Sequence, residues 1–116
     1  MNILLVNDVS IILEGEEFVV LKVLGEDIKV FKAESPDKAI EIVKENDIDI
    51  VIIDVELARE NNIETSKKIS EIKPDIKIII TSGDENYEAE AMATGASYFI
   101  SMPMTEDNLK KCLQEI

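Results

Sequence analysis

Five short apolar runs, each followed by a segment with helical spacing, constrain this chain more than anything else in it. The runs are Ile3 to Val6, Ile28 to Ala33, Ile48 to Ile53, Ile76 to Ile80 and Ser97 to Ser101. The third is almost solidly β-branched, as a strand covered on both faces should be. The segments between them carry helix punctuation. Ser10 to Leu24 is closed by Gly25; Pro36 to Glu45 follows an N-cap at Ser35 and has an early acid at Asp37. Ile63 to Ile72 stops before Pro74, and Asp84 to Thr94 is closed by Gly95. From Thr105 onward, Leu109, Cys112, Leu113 and Ile116 recur at i, i+3, i+4 and i+7, with acids early and Lys110-Lys111 later, matching the helix dipole. Five β-then-α units predict an α/β fold: a doubly wound, five-stranded parallel sheet with five helices on its two faces. One domain over residues 1–116, with no output domain, is the expected organisation.

Composition removes whole classes of chemistry. There is no histidine, which excludes His-based metal sites, Ser-His-Asp and Cys-His catalysis, and a phosphohistidine on this chain. The single Cys112 cannot form an intrachain disulfide, which fits a reducing, cytoplasmic setting. Its place on the apolar face of the last helix predicts an inert buried thiol. No apolar run exceeds four residues, so neither a membrane span nor a signal peptide is expected. With 25 Asp and Glu against 12 Lys and Arg, the formal charge is −13. Such a surface repels phosphate backbones and argues against direct nucleic-acid binding. Basic protein surfaces and metal cations are the better candidates.

In open parallel sheets the ligand site lies beyond the carboxyl ends of the strands, where strand order reverses. The residues there are Asn7 and Asp8 after the first run, Asp54 after the third, Thr81-Ser82-Gly83 after the fourth and Met102-Pro103 after the fifth. Two carboxylates from different strand ends can hold a hard divalent cation, and a nearby hydroxyl can orient a phosphoryl oxygen. Either acid alone is better read as a helix cap. Both together with Thr81 favour a site.

With these residues in place, the whole chain resembles the receiver domain of two-component response regulators, a flavodoxin-like fold. The carriers are LLVND at 4–8, DIVIID at 49–54, IIITSG at 78–83 and GASYFISMP at 95–103. The resemblance implies Asp54 as phosphoacceptor and Mg²⁺ (or Mn²⁺) as cofactor. It also implies Asp8, Asp54 and the main-chain carbonyl of Glu56 as metal ligands, with Asn7 contributing through water. Thr81 would follow the phosphoryl group, and Phe99 would stand where the family has its switch aromatic. A histidine kinase or phosphotransfer protein would be the donor and a downstream protein the target.

The departures are specific. The family's acidic pair is Asn7-Asp8 here, the loop after Asp54 carries Leu57-Ala58 and Asn62 in place of Met-Pro and Gly, and the lysine that pairs with the phosphoryl group is Met102. One lost acid and one lost lysine leave the family's net pocket charge unchanged. What goes is a fixed positive group against the equatorial oxygens. The alternative reading is therefore a pseudo-receiver that binds protein without being phosphorylated. A flavodoxin-like cofactor binder is a third class, but Asn7-Asp8-Val9-Ser10 puts a carboxylate where a cofactor phosphate would sit. Glu56, two residues after Asp54, reads as a loop acid rather than half of a phosphatase DxD, and Tyr98-Phe99 and the methionines read as core. The acidic segment Asp84 to Thr94 has few groups to pack and would be loosely held.

Overall fold

A computed structural model describes residues 1–55 and 62–116. Within them the elements alternate as the apolar runs require: β1 (Asn2–Val6), α1 (Ser10–Leu24), β2 (Lys29–Ala33), α2 (Pro36–Glu45), β3 (Ile50–Asp54), α3 (Asn62–Ile72), β4 (Lys77–Ser82), α4 (Glu88–Ala93), β5 (Tyr98–Ser101) and α5 (Glu106–Glu115). The strands form one parallel sheet in the order β2-β1-β3-β4-β5. The chain steps outward from β1 to β2, then crosses back to β3, so strand order reverses between β1 and β3. That reversal opens a crevice at the carboxyl edge, between the loops that follow those two strands.

Side-chain alternation sorts the sheet into two cores. Ile3, Leu5, Ile50, Ile52, Ile79 and Ile100 face one side, where Leu13 and Val20 of α1 and Leu109 and Cys112 of α5 cover them. Leu4, Val6, Val51, Ile53, Ile78 and Ile80 face the other, against Ala39 and Val43 of α2, Ile69 of α3 and Ala91 of α4. Each fully buried aliphatic side chain contributes about 1.5–3 kcal/mol of transfer free energy, and this doubled core holds the edge of the sheet in place. Among the described residues no helix is long and apolar enough to cross a membrane.

Local chemistry sets the helix ends. Ser35 Oγ accepts from Lys38 N–H at 3.2 Å ahead of Pro36, and Thr105 and Asn108 close a capping box on α5. Gly25 ends α1 at φ 88°, a left-handed conformation that favours glycine.

Three expectations are corrected. Asp84–Thr94 is not one helix: Asp84 accepts from Asn86 N–H at 2.9 Å and caps a 3₁₀ turn, Glu85–Tyr87, which leaves a six-residue α4. Ala91 is its one buried residue, so little apolar area holds it against the sheet. Ile48 and Asp49 precede β3, where Asp49 turns outward to accept from Asn2 N–H at 2.8 Å. The last turn of α5 carries no basic residue, because the helix runs on past Lys110-Lys111 to Glu115.

Candidate functional site

The register of the sheet assembles the site. Val6 pairs with Ile53, which brings the next residues, Asn7 and Asp54, side by side, and Asn7 Nδ2 donates to Asp54 Oδ2 at 3.1 Å. Asp54 in turn pairs with Thr81 of β4. Met102 N–H donates to Ser82 O at 2.8 Å and extends the row to the end of β5. Alternation gives these side chains a common direction. Asn7 follows Leu5, Asp54 follows Ile52 and Thr81 follows Ile79, each by two, so all three face the side covered by α1 and α5.

Asn7 is buried and tied at both ends of its amide. Oδ1 accepts from Val9 N–H at 2.9 Å, a turn that starts α1, while Nδ2 orients Asp54. The amide therefore supplies a donor to Asp54 where a second carboxylate would repel it. Val9, not Asp8, is the N-cap residue of α1, and its side chain makes no capping hydrogen bond. Asp8 is exposed in the turn between β1 and α1. Asp54 is half-buried. Thr81 is 0% exposed, and its Oγ1 has no hydrogen-bond partner among the described residues. Leaving such a hydroxyl unpaired costs about 1–3 kcal/mol, so it marks a place where an acceptor is expected.

The other sequence-derived candidates are placed differently. Met102 is half-buried and its bond to Pro103 is cis. Phe99 lies on the opposite face of the sheet, half-buried against the core that contains Ile80 and Ala91, so it does not share a pocket with Thr81. Lys77 begins β4, at the far end from Asp54. Glu56, Leu57 and Ala58 lie outside the described residues, as does the side chain of Asn62. The Cys112 thiol is buried, and burial pushes it up to about 12, which leaves it unreactive at neutral pH.

The donor set suits a small hard cation. Among the described residues no three acids cluster into a cage. Mg²⁺ does not require one: it takes one or two carboxylates and keeps several waters, and Asp8 and Asp54 are carboxylates at adjacent strand ends. A groove of about 500 Å³ between α1, β2 and α2 is lined by Ser10, Glu14, Lys32 and Lys38 among others, but not by Asp8, Asp54 or Thr81. Convergence of side chains, rather than cavity size, locates the site.

Sequence reasoning overlooked one residue on this face. Glu16 of α1 is only 5% exposed, on the buried face with Leu13 and Val20, and neither carboxyl oxygen has a partner among the described residues. Burial, and secondarily the charge on Asp54, pushes its carboxyl up to about 8. The signal was legible: Leu13, Glu16 and Val20 recur at i, i+3 and i+7, so an acid interrupts the apolar stripe of α1.

Comparison with known proteins agrees with this arrangement. The family model of the response regulator receiver domain matches residues 3–114. The transcriptional regulatory protein YesN of Bacillus subtilis is 32% identical across 99% of this chain, which spans 32% of that protein's length. A response regulator receiver domain from Clostridium thermocellum superposes with a TM-score of 0.85 at 27% identity, covering 97% of this chain and 90% of that one. Response regulator TrrA of Thermotoga maritima, solved in complex with Mg²⁺ and BeF, superposes with a TM-score of 0.80 at 23% identity, covering 97% and 96% of the two chains. Doubly wound topology, strand-end carboxylates and a sequence match over almost every residue lead to one assignment: this chain belongs to the receiver domain family of two-component response regulators.

Proposed function

We propose that Asp54 is the phosphoacceptor of this receiver domain, taking its phosphoryl group from the phosphohistidine of a histidine kinase or phosphotransfer protein and changing the chain's affinity for a downstream protein. One observation carries the reading: the half-buried Asp54 carboxylate stands beside a fully buried Thr81 hydroxyl that has no hydrogen-bond partner among the described residues. An oxygen of Asp54 attacks phosphorus, the P–N bond breaks, and the imidazole nitrogen leaves with the bonding pair. Asn7 holds Oδ2 and thereby the plane of the carboxylate. Thr81 then donates its orphaned hydroxyl to the new phosphoryl oxygens.

Asp8 and Asp54 would hold Mg²⁺ (or Mn²⁺), with the Glu56 carbonyl as a further ligand, and the cation supplies positive charge against the phosphoryl oxygens. The −13 charge favours a protein target with a basic surface over nucleic acid. Met102 favours the second reading, a pseudo-receiver, because a thioether offers no charge to a phosphoryl group. Acetyl phosphate with Mg²⁺, followed by intact mass, separates the two. The expected result is one labile phosphoryl group, absent from Asp54→Asn. An unmodified native chain, under conditions that label an ordinary receiver, rejects the phosphoacceptor in favour of the binding module.

A further inference from the structure

Helix α1 is apolar on the side that faces away from the sheet. Its exposed positions are Ser10, Ile11, Glu14, Gly15, Phe18 and Lys22. Ile11 is 74% and Phe18 64% exposed, a large apolar area to leave in water. Ile11, Gly15, Phe18 and Lys22 fall at i, i+4, i+7 and i+11, which makes one stripe along the helix, and the half-buried Ile12, Val19 and Leu21 flank it. A surface helix ordinarily turns charge to this side. Here the exposed positions carry one acid, Glu14, and one base, Lys22, so the stripe is charge-balanced on a chain of −13. Lys22 Nζ lies 5.6 Å from the centre of the Phe18 ring and 3.4 Å from Glu106, at the edge of the stripe.

Gly15 is an independent observation on the same face. Glycine inside a helix costs stability relative to alanine, and the chain's own fold does not require it. A Cβ at position 15 would meet nothing within 4 Å among the described residues, and the backbone there is not left-handed. The missing side chain leaves a notch between Ile11 and Phe18 that lets another helix come close.

We propose that this face of α1 is a self-association surface, on which a second copy of this chain docks its own α1 antiparallel about a twofold axis. The stripe is complementary to itself, holding a knob and a notch, an acid and a base. With the axis between Gly15 and Phe18, each Phe18 meets Gly15 of the second copy, and each Glu14 stands within one helical turn of the other Lys22. The 15 residues of α1 span about 22 Å, too short to bury the roughly 1,200 Å² of a permanent interface, so the dimer is reversible.

Sedimentation equilibrium of the native chain from about 10 μM to about 1 mM is the test. The average mass should rise toward that of two chains, and further at higher salt, which screens the repulsion between two chains of −13. Gly15→Ala should melt about 4 °C higher than native yet associate about tenfold less tightly, because the added methyl helps the helix and fills the notch. Phe18→Asp should stay monomeric. Lys22→Glu should weaken the dimer, and adding Glu14→Lys should restore it. Adding Glu45→Lys instead, the same charge change on α2 at the other face of the sheet, should not. A native chain that is monomeric throughout leaves the stripe to another protein and overturns the proposal. A dimer indifferent to Gly15→Ala and Phe18→Asp uses another face and overturns it too. Equal recovery by Glu14→Lys and Glu45→Lys overturns the antiparallel pairing on which it stands.

Discussion

Raising the pH should destabilise this protein through one side chain, and Glu16→Gln should remove the effect. The Glu16 carboxyl is pushed from its ordinary 4.5 up to about 8 in the folded chain, by burial first and by the charge on Asp54 second. Below the unfolded value both states hold the proton and the group adds nothing to the pH dependence. Between the two values the unfolded chain releases the proton while the folded chain keeps it, so stability falls by about 1.4 kcal/mol per pH unit. A window of roughly three and a half units gives a loss on the order of 5 kcal/mol, complete only once pH passes the folded value. That is a large share of the roughly 5–15 kcal/mol that holds a domain together. Among the described residues, the groups facing Glu16 do not blur the window. Asp54 on β3 contributes its charge, Cys112 on α5 is held near 12, and β1 presents Ile3, Leu5 and Asn7. Urea denaturation of native and Glu16→Gln from about pH 5 to about pH 9 is the assay, with the m-value as a check that the unfolded states match. Every other carboxylate is common to the two proteins, so the difference between them isolates Glu16. It should be near zero at the acid end and grow to several kcal/mol in favour of the variant at the alkaline end. A difference that stays constant with pH would refute the reasoning, because it would place Glu16 in contact with water.

Three further outcomes follow from the strand-end geometry. Millimolar-scale Mg²⁺ should raise the melting temperature, since a ligand bound only by the folded state stabilises it, and Asp8→Ala should abolish the rise. Asn7→Asp should lower stability by about 1–3 kcal/mol at neutral pH, as it replaces the 3.1 Å donor to Asp54 with a facing carboxylate. Its reversal by Mg²⁺ in the same melt checks that the repulsion, rather than a fold defect, is responsible. Met102→Lys and Asn7→Asp should couple by roughly 0.5–3 kcal/mol in a double-mutant cycle on the rate of Asp54 phosphorylation, because both act on one oxyanion. Additive effects would mean that the two positions vary independently.

The sequence by itself determined the architecture. Strand count, parallel pairing and the carboxyl-edge location of Asn7, Asp8, Asp54 and Thr81 follow from local periodicity and from the geometry of right-handed crossovers, which leave few alternatives. It could not decide direction or partnership, because those depend on register and on what a neighbouring element presents. That Asn7 donates to Asp54 follows from the pairing of Val6 with Ile53. Phe99 and Thr81 lie on opposite faces because Phe99 pairs with Ile80 and Thr81 with Ile100, one step apart in the two-residue alternation. The break after Tyr87 came from a side-chain cap on a segment with too little apolar surface to hold a longer helix. Glu16 shows the division most plainly. Its place on the apolar stripe was written in the sequence, but only packing of α1 against the β1–β3–β4 layer withdraws it from water. Withdrawal from water, near the charge of Asp54, is what turns an ordinary acid into one that keeps its proton.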